Sequence, residues 1–178
     1  VDAELLLLRA TVGPLMVGHG AGKLFGAWNA GYGIEGTGGY LESLGFRPGR
    51  AWARLHGAAE LGTGLGIAAG LLTPLASSGL IGVMATAART AHAGKGPWVT
   101  NGGWEFPLTL GAVGTTLAFA GPGKYSLDRL LRWNLRGPRW GLGALALGLG
   151  SAALALVVRR EPTPPPTPAD ATAQPPEE

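Results

Sequence analysis

The sequence predicts an all-α fold, an integral membrane helical bundle, and three observations carry that reading. Hydrophobic residues make up 46% of the 178 and charged residues only 14%, where soluble domains carry about 25% charged. The nineteen residues from Trp140 to Val158 hold no charge, with Arg136 and Arg139 before them and Arg159 and Arg160 after. That is the pattern of a helix crossing a hydrocarbon layer between two cationic anchors. The chain also holds 32 glycines, and helices in lipid associate by close backbone approach at small residues.

Five stretches read as spans, because only a helix satisfies its own backbone in lipid. They are Leu5 to Ala27, Ala51 to Leu72, Leu75 to His92, Trp104 to Gly121 and Trp140 to Val158. The first is expected to stay in the protein: Asp2 and Glu4 precede its leucine run, and a secretory signal would open on basic residues. The glycine-rich segment from Trp28 to Arg50 reads as a structured loop, with Tyr40, Leu41, Leu44 and Phe46 spaced like a short interfacial helix. Leu72, Thr73 and Pro74 form so tight a join that the second and third spans should be antiparallel neighbours. From Glu161 onward the chain is proline, threonine, alanine and acid, and reads as a disordered tail. GxxxG spacing at Gly22 and Gly26, Gly62 and Gly66, and Gly66 and Gly70 implies a compact bundle or a dimer face, although a Gly/Ala-rich chain also makes such pairs by chance.

Composition excludes several functions. With no cysteine there is no disulfide scaffold, thiol redox motif or thiolate metal centre. Three histidines cannot ligate two haems through paired imidazoles; one haem is formally allowed, but neither His19 nor His56 sits in a haem motif. The net charge of +3 fits membrane flanks better than nucleic acid, since no basic surface interleaved with aromatics is visible. Gly18 to Lys23 only superficially resembles a phosphate loop, because Val17 and Leu24 stand where that loop needs glycine and a hydroxyl residue.

Ionisable residues inside spans normally face the bundle interior, pair, and mark a site. Arg9, His19 and Lys23 fall within about an 80° arc of the first helix at 100° per residue. His56 and Glu60 lie four apart on the second, Arg89 and His92 three apart on the third, and Glu105 opens the fourth. Each arginine taken singly is expected to snorkel to the headgroups. Glu60 lies too deep for so short a side chain to reach water, so it should be paired, with Lys23 or Arg9 as partner and His56 completing a polar pocket.

In order along the chain, several segments resemble the DoxX family of small bacterial membrane proteins, whose members are similar to DoxD-type quinone-linked oxidoreductase subunits. They are Arg9 with Gly18-His19-Gly20-Ala21-Gly22-Lys23-Leu24, then Tyr40 to Gly45, then Glu60 with Gly62 to Pro74, then Asn101 to Glu105 and Gly121 to Asp128. The resemblance implies a four-helix DoxX-like bundle over residues 1–134, with Arg9, His19, Lys23, Glu60, Glu105 and Asp128 at its polar positions. Residues 135–160 would add a fifth C-terminal transmembrane helix, and residues 161–178 the tail. It further implies a multi-pass protein of the bacterial plasma (inner) membrane, in contact with the lipid bilayer, and allows a soluble redox partner protein and other copies of itself in a homo-oligomer as partners.

The expected pocket is formed by Arg9, His19, Lys23, His56, Glu60 and Glu105, with His19, His56 and Glu60 on the cofactor. A quinone needs apolar walls, a few hydrogen-bond donors and a group that relays protons, whereas haem and metal fit these residues poorly. Two other readings use the same residues: a small proton- or solute-coupled transporter, and a scaffold that gathers partners through the basic segment Lys124 to Arg139 and the tail. No internal repeat of the kind common in transporters is visible.

Overall fold

A computed structural model of the chain describes residues 1–29 and 32–161, and among these the regular structure is all helical. The helices are α1 (Asp2–Phe25), α2 (Gly33–Ser43), α3 (Gly49–Ala69), α4 (Thr73–Arg89), α5 (Glu105–Ala120), α6 (Leu127–Leu130) and α7 (Pro138–Val158). Each predicted span is matched by one long helix with ends shifted by a few residues. His92 falls beyond the end of α4, where its Nδ1 lies 2.6 Å from the Gly102 carbonyl oxygen. The predicted tail, apart from Glu161, lies outside the described residues.

Local chemistry explains where the helices stop. α1 runs unbroken past Pro14 and ends on Gly26, at φ 69°, whose N–H donates to Gly22 O; α3 ends on Gly70, at φ 63°. Glycine adopts this left-handed conformation without the steric cost of a Cβ. Leu72, at φ 46°, has no such freedom, and it leads into α4. The chain can hold a leucine there because Asp128 grips the turn from outside.

α1 packs antiparallel on α3, and α3 on α4 through the tight join at residues 70–73. α5 and α7 complete the arrangement on the other side of α4. The core between them is Val12 and Met16 of α1, Ile67 of α3, Leu80 and Met84 of α4, and Leu110 and Leu117 of α5. α2 is the short helix expected in the first loop. Leu41 on it and Phe46 beyond it are buried in a second cluster with Ala53, against Trp52 and Ala155, while Tyr40 is exposed.

Close packing uses small residues, in part at the expected GxxxG positions: a Cβ on Gly66, shared by two of those pairs, would lie 2.8 Å from Ala76 Cβ where α3 meets α4, and the α1–α3 contact uses others. A Cβ on Gly13 would lie 2.7 Å from Ala68 Cβ, and one on Gly64 would lie 2.5 Å from Val17 N. Gly20 closes on Leu61 N and Gly57 on Leu24 in the same way. The α1–α3 seam therefore repeats every seven residues, Gly13 with Gly20 and Gly57 with Gly64, which keeps small residues on one line between two helices. Gly62, by contrast, faces open space, and Gly26 and Gly70 serve as helix ends. On α7 the buried stripe is Gly141, Ala144, Gly148 and Ala152.

One helix among the described residues, Pro138–Val158, is long and apolar enough to cross a membrane on length and composition alone, with a mean hydropathy of 2.1. α4 and α5 have 17 and 16 residues. α1 and α3 are longer but carry charges and many glycines.

Candidate functional site

Glu60 is paired, as its depth requires. Its Oε2 lies 2.5 Å from Lys23 Nζ, and the Glu60 side chain is 6% exposed against 26% for Lys23. The pair joins α1 to α3 one turn beyond His56. His56 itself turns to aromatic neighbours: its ring centroid is 5.8 Å from that of Phe46 and 5.9 Å from that of Trp52. These rings bring together α3 and the turn that precedes it.

His56 also lines a cavity of about 270 Å³ between α3, α4 and α7, together with Trp52, Ala59, Val83, Thr86 and Ser151. A second cavity of about 710 Å³ shares Ala59, Gly79 and Ser151 with the first and continues past Leu65, Leu75 and Leu147. The two form one apolar groove. The Thr86 and Ser151 hydroxyls donate to Gly82 O and Gly148 O of their own helices. The His56 imidazole and the Trp52 indole N–H are therefore the side-chain polar groups of the smaller cavity that no hydrogen bond among the described residues engages, and of the two His56 alone can accept as well as donate. Lys23 and Glu60 stand on the α1 side of α3 and do not line the groove.

Arg9 corrects an expectation. It does not snorkel: it is 1% exposed, and it donates to four carbonyl oxygens. Nε reaches Ile67 O at 2.9 Å, Nη2 reaches Ala68 O at 2.8 Å, and Nη1 reaches Pro122 O and Tyr125 O at 2.7 and 2.8 Å. Two of those oxygens belong to the last turn of α3, where helix carbonyls lack intrahelical partners and the helix dipole favours a cation. Arg9 is thus a lock at one end of the molecule, apart from the Lys23–Glu60 pair. Arg54 and Arg89, which were expected to snorkel, are exposed.

Two more expected pocket residues stand elsewhere. His19 is exposed on α1, because Gly20, which follows it, turns into the α3 seam and carries its neighbour outward. Glu105 accepts from Val99 N at 2.5 Å and so holds the loop that leads into α5. Of the six expected residues, the fold pairs Lys23 with Glu60, sets His56 one turn away on α3 where it faces the groove, and leaves Arg9, His19 and Glu105 apart. Trp52 and Phe46 were missed, although their placement around His56 is what shapes its surroundings; an aromatic one turn before a span histidine was the available signal.

No curated protein and no solved structure matches the chain. The family model described as DoxX matches residues 4–93, half of the chain, from the start of α1 through the end of α4. The resembling segments at 101–105 and 121–128 lie beyond that match. A helical membrane family, an all-helical structure and an apolar α7 agree with one another, and the chain belongs to the DoxX family of membrane proteins.

Proposed function

We propose that this chain is a multi-pass subunit of the bacterial inner membrane, with five spans, that holds a lipid-soluble quinone for a redox or redox-stress system. Exposed aromatics at the two ends of the helices support the five spans: Trp28, Tyr32, Tyr40, Trp98 and Trp104 at one end, Tyr125 and Trp133 at the other. Such rings settle at the two membrane–water interfaces. Between them the outer surface is leucine-rich, with Leu15, Leu65, Leu108, Leu147 and Leu154 exposed. At 1.5 Å per residue the shortest of the five helices is about 24 Å long, enough with its flanking turns to cross a slightly thinned bilayer. Residues 1–134 then form the four-span core and α7 an added fifth span, which places the two ends of the described chain on opposite sides.

The observation that carries the quinone reading is His56: an imidazole with unengaged nitrogens at the head of an apolar groove, one turn from an ion pair whose carboxylate is buried. A bound quinone supplies two-electron, two-proton carriage. The residues fit such a molecule. Leu55, Val83 and Leu154 give apolar walls for its ring, His56 gives a hydrogen-bond partner for a carbonyl, and the groove past Leu65 and Leu147 takes an isoprenoid tail. His56 is the group that holds or passes a proton at that carbonyl. Glu60 keeps the Lys23 ammonium beside it. A soluble protein would exchange electrons at the membrane surface, and other copies of the chain could pack against its exposed helices.

The test is organic extraction and mass spectrometry of the detergent-purified protein. Quinone near one equivalent, depleted in His56→Leu protein of unchanged melting temperature, is the expected result. A level no higher than in an unrelated membrane protein purified in parallel would overturn it.

A further inference from the structure

At the end of the molecule remote from His56, the segment after α5 concentrates charge of one sign. Residues 121–139 hold Lys124, Arg129, Arg132, Arg136 and Arg139, all exposed. Their one acid, Asp128, is 0% exposed and committed to the start of α4. Asp2, the acid that α1 brings to this segment, accepts from the Lys124 backbone N–H at 2.8 Å and leaves the side-chain cation free of it. Lys124, Ser126, Arg129 and Arg132 border a cleft of about 820 Å³. Beside it Leu127, Leu130, Leu131 and Trp133 are exposed.

The backbone adds a separate observation. After α6 the chain turns with Trp133 N–H on Asp128 O and Arg132 N–H on Arg129 O, the paired bonds of a helix end that normally carries glycine at the left-handed position. Here that position is Arg132, at φ 61°. Glycine would hold the same turn with less strain, so the turn retains a cation at a conformational cost.

We propose that this cleft binds the phosphate of an anionic membrane phospholipid, with Lys124, Arg129 and Arg132 on the phosphate and the leucines and Trp133 among the upper acyl chains. The leucines decide for a lipid over free phosphate: a soluble anion has no use for four exposed apolar side chains beside its cations. Cations near an anionic surface each contribute about a fivefold gain in affinity, and arginine's planar fork suits phosphate oxygens. The inference rests on the membrane setting of the family and is independent of the quinone reading.

The experiment uses the full chain in detergent and follows binding of a tail-labelled phosphatidylglycerol, with phosphatidylcholine and inorganic phosphate as competitors. Phosphatidylglycerol is expected to bind and to be displaced by neither. Arg129→Gln with Arg132→Gly should weaken it about twenty-fivefold, without lowering the melting temperature, since glycine relieves the turn. Arg54→Gln, on an exposed residue of α3 away from the cleft, should leave it unchanged. If the double variant melts early, Lys124→Gln decides, with an expected loss of about fivefold. Equal binding of phosphatidylcholine, full displacement by inorganic phosphate, or undiminished affinity in the variants would overturn the proposal.

Discussion

Asp128 and Thr73 are joined by two hydrogen bonds across 55 residues of sequence: one carboxylate oxygen accepts from Thr73 N at 3.0 Å and from Thr73 Oγ1 at 2.7 Å. The other oxygen accepts from Leu72 N at 2.7 Å, and the Asp128 N–H donates to Gly70 O at 2.9 Å. α4 has no side-chain cap of its own, so the residue that starts this helix comes from α6. A carboxylate there satisfies N–H groups that the first helical turn leaves unpaired and meets the positive end of the helix dipole. Asp128→Ala should lower unfolding free energy in detergent by about 3 kcal/mol, and Thr73→Val, which removes one of the three donors, by about 1 kcal/mol. Denaturation followed by circular dichroism measures both.

Arg9 closes the same end by joining α1 to the last turn of α3 and to the loop after α5. Arg9→Met removes the donor to four carbonyls at once and should cost at least about 3 kcal/mol in the same measurement. Arg9→Lys keeps the charge, but a single ammonium cannot reach oxygens spread around a guanidinium plane, so it should recover only part of the loss.

The α1–α3 seam sets a third expectation. Gly64→Ala places a methyl against Val17 N and must part the two helices, costing about 1 to 3 kcal/mol. Gly62→Ala, two residues away with nothing within 4 Å of its Cβ, should be neutral or stabilise by up to about 1 kcal/mol through helix propensity. Thermal melts of the two variants in one detergent give the comparison. Equal effects would contradict the seven-residue register.

The number and order of the long helices were legible because apolar runs and their flanking cations report local structure directly. The pairing of Glu60 was legible for the same reason, since depth within a run follows from counting residues. Which cation it meets was not, because Arg9 and Lys23 fall on nearly the same face of α1 and only the antiparallel register, with Gly20 against Leu61, separates them. Helical periodicity put His19 in the polar stripe with Arg9 and Lys23. The structure turns it outward because the close-packed seam at Gly13 and Gly20, rather than the polar residues, fixes the rotation of α1. Asp128 entered the sequence reading only through the family resemblance, and its role rests on a contact no local pattern encodes. A lone acid among five cations was the one hint available.

The groove headed by His56 is tested most directly by photolabelling. A quinone carrying an azide on its ring, irradiated with the purified protein, is predicted to label the α3 segment around Trp52 to Ala59 and the α7 segment around Ser151 to Ala155, both of which line the cavity. Excess unlabelled quinone should remove that label, and His56→Leu should reduce it severalfold. Label confined to the exposed faces of other helices, or undiminished in the variant and by competitor, would contradict the account.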